Sequence, residues 1–158
     1  MSAEPAAPPI VPVTAADLPR ILALQQLAFA AEAIRYADPR LPPLLQTLDQ
    51  LREEFTHRRF LQIVDGDALL ASVRGHVDDA GTGHIGRLIV HPAQQQRGLG
   101  ERLMRAIEAE LAHAVRFELF TGEFSDGPLR LYERLGYRRY DTRPAGHYRM
   151  VYLEKRRP

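Results

Sequence analysis

At 158 residues, 45% hydrophobic and 26% charged, the chain has ordinary globular usage and is long enough to bury roughly 70% of its extended surface in one core, which excludes disordered, collagenous and disulfide-scaffold classes. Twenty-one Lys plus Arg stand against 20 Asp plus Glu, so there is no basic excess to hold nucleic acid, and no cysteine is present to form a disulfide or a thiolate nucleophile. No window approaches the ~20 apolar residues of a membrane span, and the six histidines lack metal-ligand spacing, so neither membrane nor metal is expected and a cytoplasmic location is.

Residues 1–9 are expected to be a flexible leader and 10–158 a single domain. Ile10 to Val13 reads as a first strand, after which Thr14 caps a helix with Leu18, Ile21, Leu22, Leu24, Gln25, Leu27 and Ala28 at helical spacing. Three prolines between Asp38 and Pro43 break it. A second helix starts at Thr47, whose hydroxyl makes a capping box with Gln50 ahead of Leu51 and Phe55.

Phe60 to Val64 and Ala68 to Val77 are β-prone runs joined by Asp65-Gly66-Asp67, a hairpin signal. A turn at Gly81 to Gly83 leads to a strand from Ile85 to Val90, which Pro92 stops. A helix follows with Leu99, Leu103, Ala106, Ile107, Leu111 and Ala114 on one face and Glu101 able to pair with Arg105 on the other. Arg116 to Thr121 is the next strand. A short helix is then expected with Pro128 at its first position and Gly136 closing it, followed by strands over Gly136 to Tyr140 and His147 to Leu153.

This order predicts an α/β (α+β) fold: a mixed, mostly antiparallel sheet of six to seven strands with helices on both faces. Parallel pairing is expected only where a helix intervenes, between the Ile85 and Arg116 strands.

The chemistry sits where the Ile85 strand meets the next helix, in "HPAQQQRGLGERLM". A helix N-terminus presents unpaired amides and about half a positive charge, and Gly98 and Gly100 let an anion approach the backbone. Nothing after these glycines supplies the Lys and hydroxyl of a Walker loop, and the third glycine of a dinucleotide fingerprint is missing.

The run Gln95-Gln96-Arg97-Gly98-Leu99-Gly100 resembles the (Q/R)xxGx(G/A) pyrophosphate loop of the GNAT N-acetyltransferases. The preceding "GRLIVHP" and the downstream "LRLYERLGY" resemble that family in order and spacing, so the likeness spans Gly86 to Tyr137. It implies an acyl-CoA N-acyltransferase fold, with the sheet splayed in the middle, and transfer of acetyl from acetyl-CoA to a primary amine of a small molecule or protein. A homodimer is also implied.

By the same resemblance Leu88, Ile89 and Val90 run along the pantetheine, and Gln95, Gln96, Arg97, Gly98, Leu99, Gly100 and Glu101 surround the pyrophosphate. The Val90 amide becomes the oxyanion donor. Tyr132 becomes the group that protonates the departing sulfur, although its spacing with Leu129, Leu131 and Leu135 also suits a plain core aromatic.

The strand "HIGRLIV" carries no carboxylate, so the base falls to Glu123, Glu32, His91 or a water chain. The loop "GEFSDGP" lacks the family's asparagine, leaving Asp126 or Ser125 to replace its cofactor contacts. Acceptor specificity is expected from the Phe29 to Phe55 region, with Glu32, Arg35, Tyr36 and Asp38. A non-catalytic acyl-CoA sensor and a structural module whose glycines only pack are the alternatives.

Overall fold

The computed structural model describes residues 6–158, so residues 1–5 of the expected leader lie outside it. Within the rest of that leader, the Pro8 carbonyl accepts a 2.7 Å bond from Arg102 and the Pro9 carbonyl a 3.4 Å bond from the Val64 amide. Seven strands form one sheet: β1 (Ile10–Pro12), β2 (Arg59–Asp65), β3 (Ala68–Val77), β4 (Thr82–Val90), β5 (Arg116–Gly122), β6 (Arg138–Ala145) and β7 (Tyr148–Arg156). Their order across the sheet is β1-β2-β3-β4-β5-β7-β6. Every neighbouring pair is antiparallel except β4 and β5, which the intervening helix makes parallel, as the sequence predicts.

Helices α1 (Leu18–Arg35), α2 (Pro42–Leu45) and α3 (Leu48–Phe55) cover one face, and α4 (Leu99–Glu110) the other. Alternation along β2 divides the two cores. Phe60 packs with Leu18, Ile21 and Leu51, whereas Leu61 and Ile63 pack with Leu103, Met104 and Ile107. A third cluster joins Tyr36, Leu41 and Tyr148 at the end of α1. No helix among the described residues is long and apolar enough to cross a membrane.

Local signals placed most boundaries. Thr47 accepts from the Gln50 amide at 3.1 Å while the Gln50 side chain accepts from the Thr47 amide at 2.9 Å, the reciprocal box expected for α3. Glu101 and Arg105 pair at 3.1 Å on the outer face of α4.

Several boundaries differ. The last short helix, α5 (Asp126–Arg134), has Pro128 as its third residue, because any first-turn amide is free of an intrahelical partner and proline is tolerated there. The prolines at 42 and 43 break α1 but also open α2, whose first two positions they occupy. Strand β4 begins three residues early because Thr82 to His84 pair with Arg116 to Glu118. Strand β6 runs on to Ala145 although almost every residue is exposed, since its partner β7 rather than an apolar face defines it.

Candidate functional site

The parallel ladder between β4 and β5 is three residues long: Thr82, Gly83 and His84 face Arg116, Phe117 and Glu118. Beyond it β4 stays with β3 as far as Val90, and β5 stays with β7 as far as Gly122, so the two central strands diverge into a wedge. The sheet is therefore splayed in its middle.

A bulge in β4 shapes the upper wall. The register against β3 shifts between the Arg74–Gly86 and Ser72–Ile89 pairs, and Arg87 takes a left-handed φ of 50° to absorb the extra residue. Past the bulge the His91 amide donates to the Leu70 carbonyl on β3 at 2.8 Å. Alternation then turns the Val90 amide and carbonyl away from β3, toward the wedge. The Val90 carbonyl accepts from the Gln95 side chain at 3.2 Å, which ties the strand end to the loop that follows.

That loop is exposed from Gln95 to Gly98 and contains two left-handed residues, Gln96 at φ 63° and Gly98 at φ 73°. Arg97 bonds back to Gln94, and His91 Nδ1 accepts from the Ala93 amide at 3.0 Å. Gly98 opens α4 without any side-chain cap, so the first amides of the helix, at Leu99, Gly100 and Glu101, are left for an outside acceptor.

The two glycines do different jobs. A Cβ on Gly98 would meet nothing within 4 Å, so its role is backbone conformation beside open space. One on Gly100 would lie 3.2 Å from Leu131 and 3.6 Å from Leu88, and this residue has no left-handed φ; it packs β4 and α5 against the helix. Of the two, only Gly98 uses a left-handed φ.

Tyr132 on α5 is 8% exposed, within the α4-side core, its ring 6.1 Å from that of Tyr137. Burial alone pushes its phenol up to about 12, and its hydroxyl makes no hydrogen bond among the described residues. The ring is buried, but the oxygen is not among the enclosed unpartnered polar atoms, so its donor is left for something outside the protein. It distinguishes Tyr132 from Tyr137, whose hydroxyl donates to Glu108 at 2.8 Å.

At the far end of β5 the structure joins three residues singled out from sequence. Ser125 Oγ donates to Glu32 Oε2 on α1 at 2.9 Å and lies 2.7 Å from the Tyr36 hydroxyl, which accepts from the Phe124 amide at 2.9 Å. With the serine proton on Glu32, the tyrosine proton points to Ser125, giving a chain Tyr36 to Ser125 to Glu32. Gly122 passes so close that a Cβ there would run into the Tyr36 hydroxyl. Arg35 pairs with Glu32 at 3.4 Å.

Ser125 is therefore buried and committed to this chain, while Asp126 is exposed at the start of α5. Glu123 is half-buried, its amide bonded to the Arg149 carbonyl at 3.0 Å. Tyr36, expected only as part of the acceptor-side segment, had no motif to mark its hydroxyl as a member of this chain.

Three comparisons bear on this site. The sequence profile of the Acetyltransferase (GNAT) family matches residues 21–137. No curated protein sequence matches the chain. Among solved structures, the Paia N-acetyltransferase from Thermoplasma acidophilum in complex with coenzyme A superposes with a TM-score of 0.77 at 15% identity, over 96% of this chain and 100% of that one. The ribosomal-protein-S18-alanine N-acetyltransferase from Escherichia coli gives 0.75 at 18% identity, over 92% and 91%. An aminoglycoside 6'-N-acetyltransferase complexed with coenzyme A gives 0.71 at 17% identity, over 95% and 99%.

Proposed function

The chain belongs to the GNAT family of acetyltransferases, and from that premise we propose that it transfers the acetyl group of acetyl-CoA to a primary amine by direct attack on the thioester. The observation that carries this is the wedge between β4 and β5, which opens onto an uncapped, exposed helix end at Gly98. An extended thiol arm fits along one wall of such a wedge, and a diphosphate suits free amides at the start of a helix. The coenzyme A bound to two of the fold's neighbours supports the same choice.

In this scheme Leu88, Ile89 and Val90 line the pantetheine, and the stretch from Gln95 through Glu101 holds the pyrophosphate, with Asp126 at its rim. The Val90 amide, directed away from β3, stabilises the oxyanion of the tetrahedral intermediate. Tyr132 places its unpaired hydroxyl against the departing sulfur. A phenol held near 12 is a weak acid beside a thiol of about 8.5, so it acts chiefly as a hydrogen-bond donor to developing thiolate.

The amine must lose a proton before or during attack. Glu32 is our proposed base, reached through Ser125 and Tyr36, with Glu123 the alternate at the same strand end. Acetyl-CoA and the amine are then the working partners of a protein that the family resemblance expects to be a homodimer.

The test is release of free CoA from acetyl-CoA across an amine panel, with an acetyl mass increment on the acceptor. Release without the increment, or CoA binding without release, would overturn transfer and leave an acyl-CoA sensor in its place.

A further inference from the structure

Beneath α1, α2 and α3 lies a cationic cluster that the chemistry described so far does not use. Arg74 on β3 is 2% exposed and donates to Gln25 Oε1 at 2.8 Å and Gln46 Oε1 at 3.1 Å, with its Nε 3.0 Å from Glu54 Oε1. The same Glu54 oxygen takes Arg58 at 3.3 Å, and its other oxygen takes the Gln46 side chain at 2.7 Å. One carboxylate thus serves two guanidiniums and an amide, and is fully used.

Arg87 is the third guanidinium of this group. It has no ion pair or side-chain hydrogen bond among the described residues; burial disfavours its charge, Glu54 favours it, and Arg58 opposes it more weakly. Its side chain lines an open cavity of about 350 Å³ with Pro42, Leu45, Gln46 and Gln50. Gln50 accepts from the Thr47 amide through Oε1, so its NH2 remains a second donor facing that space.

The bulge is what aims Arg87 there. Gly86 pairs with Arg74, whose side chain lies under the helices, and the left-handed φ at Arg87 keeps the next side chain on that face as well. The following residue, Leu88, belongs to the wall of the wedge. An acceptor held in the cavity therefore lies beside the strand whose Val90 amide, three residues on, is the proposed oxyanion donor.

We infer that Arg87 is a specificity residue that binds a carboxylate on the acceptor, so that the substrate class is an amine carrying a carboxylate, as in an amino acid or an acidic peptide. This rests on the acetyl-transfer function proposed above. A planar guanidinium fork without a counterion matches a carboxylate in two parallel bonds, and a neutral amine would leave that charge half-buried and unmatched.

The experiment compares matched pairs of amines, each amino acid or dipeptide against its uncharged amide, with wild-type protein and with Arg87→Gln. The expected result is a preference for the carboxylate member of at least tenfold in kcat/KM, expressed mainly in KM, that falls toward one in the variant. Arg87→Lys should keep part of it.

Arg87→Gly, which suits a φ of 50°, serves if the glutamine variant folds poorly, with the thermal shift on adding CoA as the check on folding. Equal turnover of both members, or a preference that survives in Arg87→Gln, would overturn the carboxylate assignment and leave transfer standing. Failure of every amine to react while CoA still binds would overturn both.

Discussion

Tyr132 shows how a single residue changes meaning between sequence and structure. On a short helix beside Leu129 and Leu135 it packs as a core aromatic, and the structure does bury it. What packing does not explain is a phenol oxygen with no protein partner, at a position where a phenylalanine would fill the same space. Tyr132→Phe should therefore be close to neutral in stability at pH 7. In the proposed mechanism it should lower kcat by about 100-fold, the lower end of the range for losing a positioned proton donor. Urea unfolding and steady-state kinetics on one preparation check both halves; a fall in stability with unchanged kcat would return Tyr132 to the core.

Arg87 is the opposite case, a side chain that looks like ordinary surface charge in "GRLIV" and proves to sit on a strained backbone. A left-handed non-glycine residue costs of order 1–3 kcal/mol, and such strain tends to collect at functional positions. The sequence held a faint sign, a lone arginine between a glycine and an apolar run. Its φ was not legible, because the bulge arises from pairing with β3 and not from any local preference.

At the scale of elements, legibility followed the strength of the local period. Helix α4 could be laid out almost residue by residue, since one apolar stripe meets one core, and the capping box placed the start of α3. Strand β6 is polar on both sides and is set only by its ladder with β7, so its length was hidden. The wedge was legible only through resemblance to a family. Divergence of two strands depends on which partner each follows, and no short window of sequence records that.

Helix α3 carries the clearest energetic consequence. Its Glu54 is the carboxylate that holds Arg74 and Arg58, so the helix is bound to the sheet by charge as well as by Leu51. Removing one partner of a buried ion pair costs about 3–5 kcal/mol, mostly from the charge left behind. Glu54 is itself partly exposed, which places Glu54→Gln near 3 kcal/mol. Replacing both partners, Glu54→Gln with Arg74→Met, should recover part of that loss. A urea midpoint for each single and the double variant measures the coupling.

For the whole molecule, the two buried tyrosines of the α4-side core set a limit on alkaline stability. Burial raises Tyr132 from 10.0 to about 12, and it raises Tyr137 as well, with the neighbouring Glu108 adding to the effect. A phenol whose folded value lies above its unfolded one leaves stability intact below about pH 10. As pH rises from 10 toward 12 the unfolded chain ionises while the native core cannot, so stability falls. For Tyr132 alone the loss is roughly 3 kcal/mol once pH passes its folded value. That is a sizeable share of the 5–15 kcal/mol by which domains are stable.

The carboxylates act at the other end. Asp17 is held low by the Thr14 amide and by Gln62, so its contribution is present above its unfolded value and is lost only on strong acidification. The thermal midpoint should therefore be flat from about pH 7.5, above the ordinary histidine range in which half-buried His76 resists protonation, to about 9, and drop steeply above 10. Tyr132→Phe should displace that drop toward higher pH while leaving the plateau in place, because phenylalanine fills the core and has no proton to lose. A melting series across pH with both proteins decides it: coincident alkaline limbs would show that Tyr132 ionises as readily in the native protein as in the unfolded chain, and the raised phenol on which its role as a hydrogen-bond donor rests would have to be abandoned.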